Sequence, residues 1–247
     1  MGEVIRLPDG RAAQYWDNGV AGPAVLFFHG CPDTRHAAMT GASAAKALGV
    51  RLVAVNRPGY GRSDRHPSTQ SSVADDAVAA ADALGIDRFA ALGMSVGTAY
   101  ALVCAARHPD RVRALALVAG PDGRRHEPRT VAQAVERFRP EFEAWVARID
   151  PDDPDDEALA RRFLADLPPA DAALLGTMRT PAQVAASVRE ALVDHDGYLR
   201  DAALTLRPWD ATPADVRCPV HTWPDDRTRH LSMLLSRWPE ILAALLD

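Results

Sequence analysis

The run Ala24–His29, AVLFFH, carries no polar side chain before its histidine, and a strand of that kind needs both faces of its sheet covered. A sheet with one wet face would leave half of it in water. The chain therefore has to supply helices on two sides, and it does so in sequence order. Thr34–Leu48 is alanine-rich and stops at Gly49, which predicts a helix with a C-terminal glycine. Leu52–Asn56 reads as the next strand, and the turn-rich Arg57-Pro58-Gly59-Tyr60-Gly61-Arg62-Ser63-Asp64 follows it. Ser72–Leu84 reads as a helix closed by Gly85, Arg88–Leu92 as a strand, Thr98–His108 as a helix and Val112–Ala119 as a strand. Ahead of them, Val4–Leu7 and Ala12–Trp16 flank the turn Pro8-Asp9-Gly10 as an antiparallel pair. Repeated strand–helix–strand units have right-handed crossovers, so the fold class is α/β: a mostly parallel twisted sheet flanked by helices. Ligands in such sheets bind beyond the carboxyl ends of the strands.

The second half changes period. From Pro121 to about Leu206 the pattern is helical, with no convincing strand. Val131–Ile149 is the longest stretch, with Pro140 expected to kink or split it, and Glu157–Leu167 and Pro181–His195 follow. A strand, Pro219–Trp223, and a final helix, Ser232–Leu246, complete the chain. The expected organisation is a core over 1–120, a helical block over 121–209 inserted above the sheet, and the rest of the core over 210–247.

Composition excludes several functions. The formal charge of −5 gives no electrostatic reason to expect nucleic acid or an anionic membrane as partner. No segment reaches the roughly eighteen consecutive apolar residues of a membrane span, and the first residues do not read as a signal peptide. Cys31, Cys104 and Cys218 are odd in number and far apart, which excludes a disulfide framework or a CxxC metal site and fits a reducing cytoplasm. The acidic run Asp150–Glu157 has prolines and no EF-hand spacing, so it reads as a solvated loop and helix start, not a cation site.

Chemistry concentrates at Gly93-Met94-Ser95-Val96-Gly97, a G-x-S-x-G sequence set between a predicted strand and a predicted helix. A sharp turn there strains Ser95 and projects its hydroxyl at the carboxyl edge of the sheet, which makes it the candidate nucleophile. The second element is Phe28-His29-Gly30-Cys31-Pro32, at the end of an earlier buried strand. Gly30 allows a tight turn that aims the Cys31 N–H at a developing oxyanion, and the Val96 N–H supplies the other donor. His29, placed before a glycine turn, reads as a loop-organising residue. Asp33 and Asp64 read as turn-stabilising.

These residues carry a resemblance. "FFHGCPDTR", "VNRPGYGRSD" and "ALGMSVGTAYALVCAARHPDRVRALALVAG" make residues 24–120 similar to the α/β-hydrolase superfamily, in its branch with an HGxP loop and a GxSxG elbow. The helical block resembles that family's cap. The resemblance implies a serine nucleophile, an acid after a late strand and a histidine near the C-terminus, with no cofactor and no metal. "VRCPVHTWPDDRT" is similar to the acid loop, with Asp226 at the best-matching position and Asp225 beside it. "RHLSMLLSRWPEILAALL" is similar to the histidine loop and last helix, with His230 at the catalytic position. Asp122, after an earlier strand, is an alternative acid. Family members place a helix and a final strand between acid and histidine, whereas only Arg227, Thr228 and Arg229 stand there in this chain. The last strand is therefore expected to be missing. That leaves His230 on a loop and Pro219–Trp223 as an exposed edge that invites a second subunit. The expected activity is hydrolysis of a small to medium hydrophobic acyl substrate through an acyl-enzyme on Ser95. The alternative is a non-hydrolytic member, cyclase-like, lyase-like or ligand-binding, that uses the pocket without a working triad.

Overall fold

The computed structural model describes residues 3–121 and 130–246. Strands β1 (Glu3–Arg6), β2 (Ala12–Asp17) and β3 (Ala24–Phe28) come first. They are followed by α1 (His36–Met39), α2 (Ala42–Ala47), β4 (Arg51–Val55) and α3 (Gln70–Ala83). Next come β5 (Phe89–Met94), α4 (Gly97–Arg107) and β6 (Val112–Val118). Five helices then intervene: α5 (Val131–Ile149), α6 (Asp156–Ala165), α7 (Pro169–Met178), α8 (Pro181–Ala191) and α9 (His195–Thr205). The chain returns with β7 (Val220–Trp223), α10 (Ser232–Leu235) and α11 (Trp238–Ala244).

The strands form one seven-stranded sheet in the order β1-β2-β4-β3-β5-β6-β7. Pairing is antiparallel for β1 with β2 and for β2 with β4, and parallel from β4 to β7. The AVLFF run of β3 is buried along its whole length, between β4 and β5, as a continuously apolar strand requires. Side chains alternate across it. Val25 and Phe27 join the cluster with α2 and α11, while Leu26 and Phe28 join the one with α3 and α4. In the β3–β5 register Phe28 stands opposite Gly93, so the chain leaves both strands at the same edge. That register brings Gly30 against Ser95. Among the described residues β7 ends the sheet, with Val220 exposed.

Three expected helices are subdivided, each at an identifiable residue. Thr34–Leu48 breaks into α1 and α2 at Gly41, where a Cβ would come within 2.5 Å of the Trp238 ring. Pro181–His195 stops at α8, and Asp194 then starts α9 by accepting the Asp196 N–H. Ser232–Leu246 divides into α10 and α11 because Pro239 is accommodated in a first helical turn and not in an interior one. Conversely, α5 runs unbroken through Pro140. The helix α7 had no distinct periodic signal.

The inserted helices have a core of their own, in which Phe142, Ile149, Leu159, Val184 and Leu199 are buried. No described helix is long and apolar enough to cross a membrane.

Candidate active site

Ser95 follows the last residue of β5 and has φ of +54°, one of three positive-φ non-glycine residues among those described. That conformation is costly for a side-chain-bearing residue and persists only where its surroundings enforce it. Its N–H bonds to Val118 O at 2.9 Å, tying the turn to β6, and its carbonyl accepts the Thr98 N–H and Oγ–H. The flanking glycines make the tight turn feasible. A Cβ on Gly93 would lie 2.6 Å from Gly97 O, and one on Gly97 would lie 2.1 Å from Phe28 O. The expected strand–turn–helix elbow is therefore present.

Beside it runs the Gly30–Cys31 corner, where a Cβ on Gly30 would lie 3.4 Å from Ser95 Cβ. The Cys31–Pro32 peptide is cis. Among the described residues, neither the Cys31 N–H nor the Val96 N–H has a protein acceptor. The corner is held from behind. His29 is fully buried, and its Nδ1–H donates to Gly30 O at 2.9 Å while Nε2 accepts the Arg57 N–H at 3.3 Å. Burial and the nearby Arg57 charge hold its pKa well below the usual histidine range. It is a neutral loop organiser, as its position before a glycine turn suggested. Arg57 bonds His29 O at 2.6 Å and Gly30 O at 3.1 Å, and its Nε reaches Asp201 on α9 at 2.7 Å. Burial works against the Arg57 charge, but the Asp201 carboxylate together with Tyr60, Tyr100 and Cys31 outweighs it and leaves the guanidinium above its ordinary range. Tyr100 Oη also donates to Asp201, at 2.7 Å. The Cys31 thiol lies 3.4 Å from Tyr60 Oη, and burial pushes it up to about 12, so this cysteine offers its backbone and not a thiolate.

The histidine stands on a loop, as the short C-terminal spacing required. His230 Nδ1 lies 2.5 Å from Asp225 Oδ1, which leaves Nε2 as the ring's other functional nitrogen. The pairing expected for Asp226 thus falls to its neighbour. Asp226 instead caps its own turn, accepting the Thr228 N–H at 3.0 Å and Oγ–H at 2.7 Å. Asp122 lies outside the described residues. Sequence reasoning also missed what steadies this loop. Asp171 on α7, fully buried, accepts the N–H groups of Leu231 and Ser232 and the Ser232 hydroxyl.

Ser95 and His230 line one cavity of about 160 Å³, with no direct hydrogen bond between them. Its floor is Gly30, Cys31 and Met94, and its roof is Phe163, Leu167, Leu175 and Val184 from the inserted helices. That volume is close to the roughly 150 Å³ of apolar cavities that accept benzene, so the space suits a small, largely apolar group. Three charged side chains also line it: Asp171, already spent on the His230 loop, Asp33, seen in the sequence only as a turn residue, and Arg179, not singled out at all. Among the described residues there is no group of three His, Cys, Asp or Glu that could hold a metal.

A family model for the alpha/beta hydrolase fold matches residues 23–186. Over 99 residues the chain is 36% identical to an epoxide hydrolase of Caballeronia sordidicola, a match covering 38% of this chain and 30% of that protein. Over 116 residues it is 34% identical to a 2-hydroxymuconate semialdehyde hydrolase of Pseudomonas putida, covering 45% and 41% respectively. The matched stretch thus spans less than half the length of either relative. Two solved structures are alike over the whole chain. The enol-lactonase from Burkholderia xenovorans LB400 has a TM-score of 0.70 at 17% identity, covering 99% of each chain. An esterase from Thermogutta terrifontis has 0.67 at 19%, covering 99% of this chain and 100% of that one. At these identities the likeness establishes the fold.

Proposed function

The chain belongs to the alpha/beta hydrolase fold family, and on that premise we propose that it hydrolyses an ester-like or other acyl bond through an acyl-enzyme on Ser95. The observation that carries this reading is one cavity holding a strained Ser95 and a His230 whose Nδ1 is engaged by Asp225 at 2.5 Å. Ser95 Oγ attacks the carbonyl carbon while His230 Nε2 takes its proton. Asp225 holds the imidazole in the tautomer that exposes Nε2 and stabilises the imidazolium that forms. The Cys31 and Val96 N–H groups receive the oxyanion, each worth about 3 kcal/mol in the transition state. His230 then protonates the leaving group, and water resolves the acyl-enzyme by the same route. The gap between Ser95 and His230 fits catalytic hydrogen bonds that tighten only when substrate is bound. The helices α5–α9 act as a cap whose apolar side chains set substrate size. Three free cysteines fit a cytoplasmic setting.

One relative is named for hydrolysis of an epoxide, and the nucleophile argues against that centre here. A serine attacking an epoxide carbon would form an ether, which water does not cleave under mild conditions. A serine attacking a carbonyl forms an ester, which it does.

Labelling with a fluorophosphonate probe, read by intact mass and peptide mapping, tests the reading without knowledge of the substrate. The expected result is one adduct on Ser95, absent from Ser95→Ala and strongly slowed in His230→Ala. Unlabelled folded protein would sink the acyl-enzyme and leave a pocket-only, non-hydrolytic role.

A further inference from the structure

Arg179 caps the C-terminal end of α7, and its side chain lines the cavity that contains Ser95. One of its terminal N–H groups donates to the backbone carbonyl of His36. Among the described residues no carboxylate lies within ion-pair distance of it. A guanidinium has five N–H donors in a planar fork that matches a carboxylate edge-on. Most of that fork is therefore unused, in a cavity whose wall is mainly apolar, with leucine, valine, phenylalanine and methionine beside a few polar groups.

The cavity's own acids do not complete it. Asp171 is occupied by Leu231 and Ser232. Asp33 is held by the Thr34 N–H at 2.7 Å and the Ser187 hydroxyl at 3.4 Å, and acts on Arg179 only at longer range. Burial dominates both groups, raising the Asp33 pKa and lowering that of Arg179. Each acts on the other's charge, but at that range neither offsets the other's desolvation in full. Asp225 pairs with His230, and the His36 ring faces Glu190 and not the cavity. A desolvated cation with spare donors beside an apolar chamber is what recognition of one anionic group on an apolar ligand needs.

We propose that Arg179 binds a carboxylate carried by the substrate, so that this enzyme prefers acyl substrates whose apolar portion ends in an ionised carboxyl group. The proposal rests on the acyl-enzyme reading and narrows its substrate class. Arg179 supplies binding and orientation and takes no part in bond making.

The test is a matched pair of activated esters, a neutral four-carbon acyl ester and its counterpart ending in a carboxylate. With wild type the carboxylate ester has the higher kcat/KM. In Arg179→Leu its kcat/KM falls about 50-fold, mostly through KM, the loss expected for one charge-assisted contact. The neutral ester changes less than about threefold, and Arg179→Lys recovers part of the preference. A substrate ratio unmoved by Arg179→Leu overturns the proposal. So does its restoration by Asp33→Asn in the Arg179→Leu background, since Arg179 would then serve only as counter-charge to Asp33. Calorimetry of glutarate with Ser95→Ala keeps the question separate from catalysis. Binding that is lost in Ser95→Ala/Arg179→Leu supports the site even if Ser95 never labels. Absence of binding to Ser95→Ala counts against it even if Ser95 does.

Discussion

Asp171 and Ser232 are joined by two hydrogen bonds to a single carboxylate oxygen, the Ser232 N–H at 2.8 Å and its Oγ–H at 2.6 Å. The other oxygen takes the Leu231 N–H at 2.9 Å. A buried acid from the inserted helices thus anchors the residues directly after His230. The loop has no strand end to fix it, and this contact supplies the fixing in its place.

Asp171→Ala should therefore damage catalysis from a distance. Three donors lose their acceptor, at a cost of about 1–3 kcal/mol for each one left buried. The expected outcome is a lower Tm and a kcat reduced about tenfold, because a slightly loosened base is enough to cost rate. Fluorophosphonate labelling of Ser95 slows in parallel while the protein stays folded by circular dichroism. Unchanged labelling would show that the His230 loop holds itself.

The adjacent acids separate cleanly. Asp225 contacts the imidazole and Asp226 only its own turn. Asp225→Asn should cut kcat by about 10³–10⁴, the scale seen when a triad carboxylate is neutralised. Asp226→Asn should stay within about threefold, losing part of a surface turn that an asparagine still forms. Equal losses in ester hydrolysis by the two variants would contradict the assignment.

Behind the Gly30–Cys31 corner, Arg57 depends on one carboxylate. Its Nε lies 2.7 Å from Asp201, and both side chains are buried. Asp201→Asn leaves a buried cation unpaired, which costs about 3–5 kcal/mol. That corresponds to a Tm about 10 °C lower for a domain of this size. The His29 and Gly30 carbonyls then lose a firmly placed donor, so kcat falls while KM holds. Thermal melts and steady-state kinetics of the one variant check both. A stable variant with normal kcat would mean the corner is set by Pro32 and the sheet alone.

The parallel sheet, the elbow and the loop at Gly30 were legible because each is written locally. A continuous apolar run implies a doubly covered strand, and glycines two residues either side of Ser95 imply a turn too tight for a Cβ. The sequence also singled out His230, which the fold places in the cavity with Ser95 and beside Asp225. It did not distinguish Asp225 from Asp226, because neighbouring residues in a turn point opposite ways and the local pattern is silent on which way. Asp171, Asp201 and Arg179 were invisible for a different reason. Their partners lie 60 or more residues away, at Ser232 and Arg57, or are a cavity that exists only once the helices fold over the sheet. The break at Gly41 is of the same kind, since only the distant Trp238 ring requires it.

Acid should loosen the inserted helices through Glu190. This α8 side chain accepts from Arg35 at 2.7 Å and Asn56 at 2.8 Å and faces His36 Nε2 at 3.3 Å, pinning α8 to the sheet edge. Burial pushes its carboxyl up, but hydrogen bonds from His36 and Asn56 and the charges of His36 and Arg35 prevail and bring it to about 2. An unfolded glutamate titrates near 4.3, so the folded state binds its proton less readily. The stabilisation is complete above about pH 4.3 and is lost as pH falls toward 2, amounting to about 3 kcal/mol. Glu190→Gln removes it at every pH. In urea titrations wild type should exceed the variant by a margin that is largest at pH 6 and shrinks toward pH 2. A margin constant over that range would mean that Glu190 contributes through packing and not through its charge.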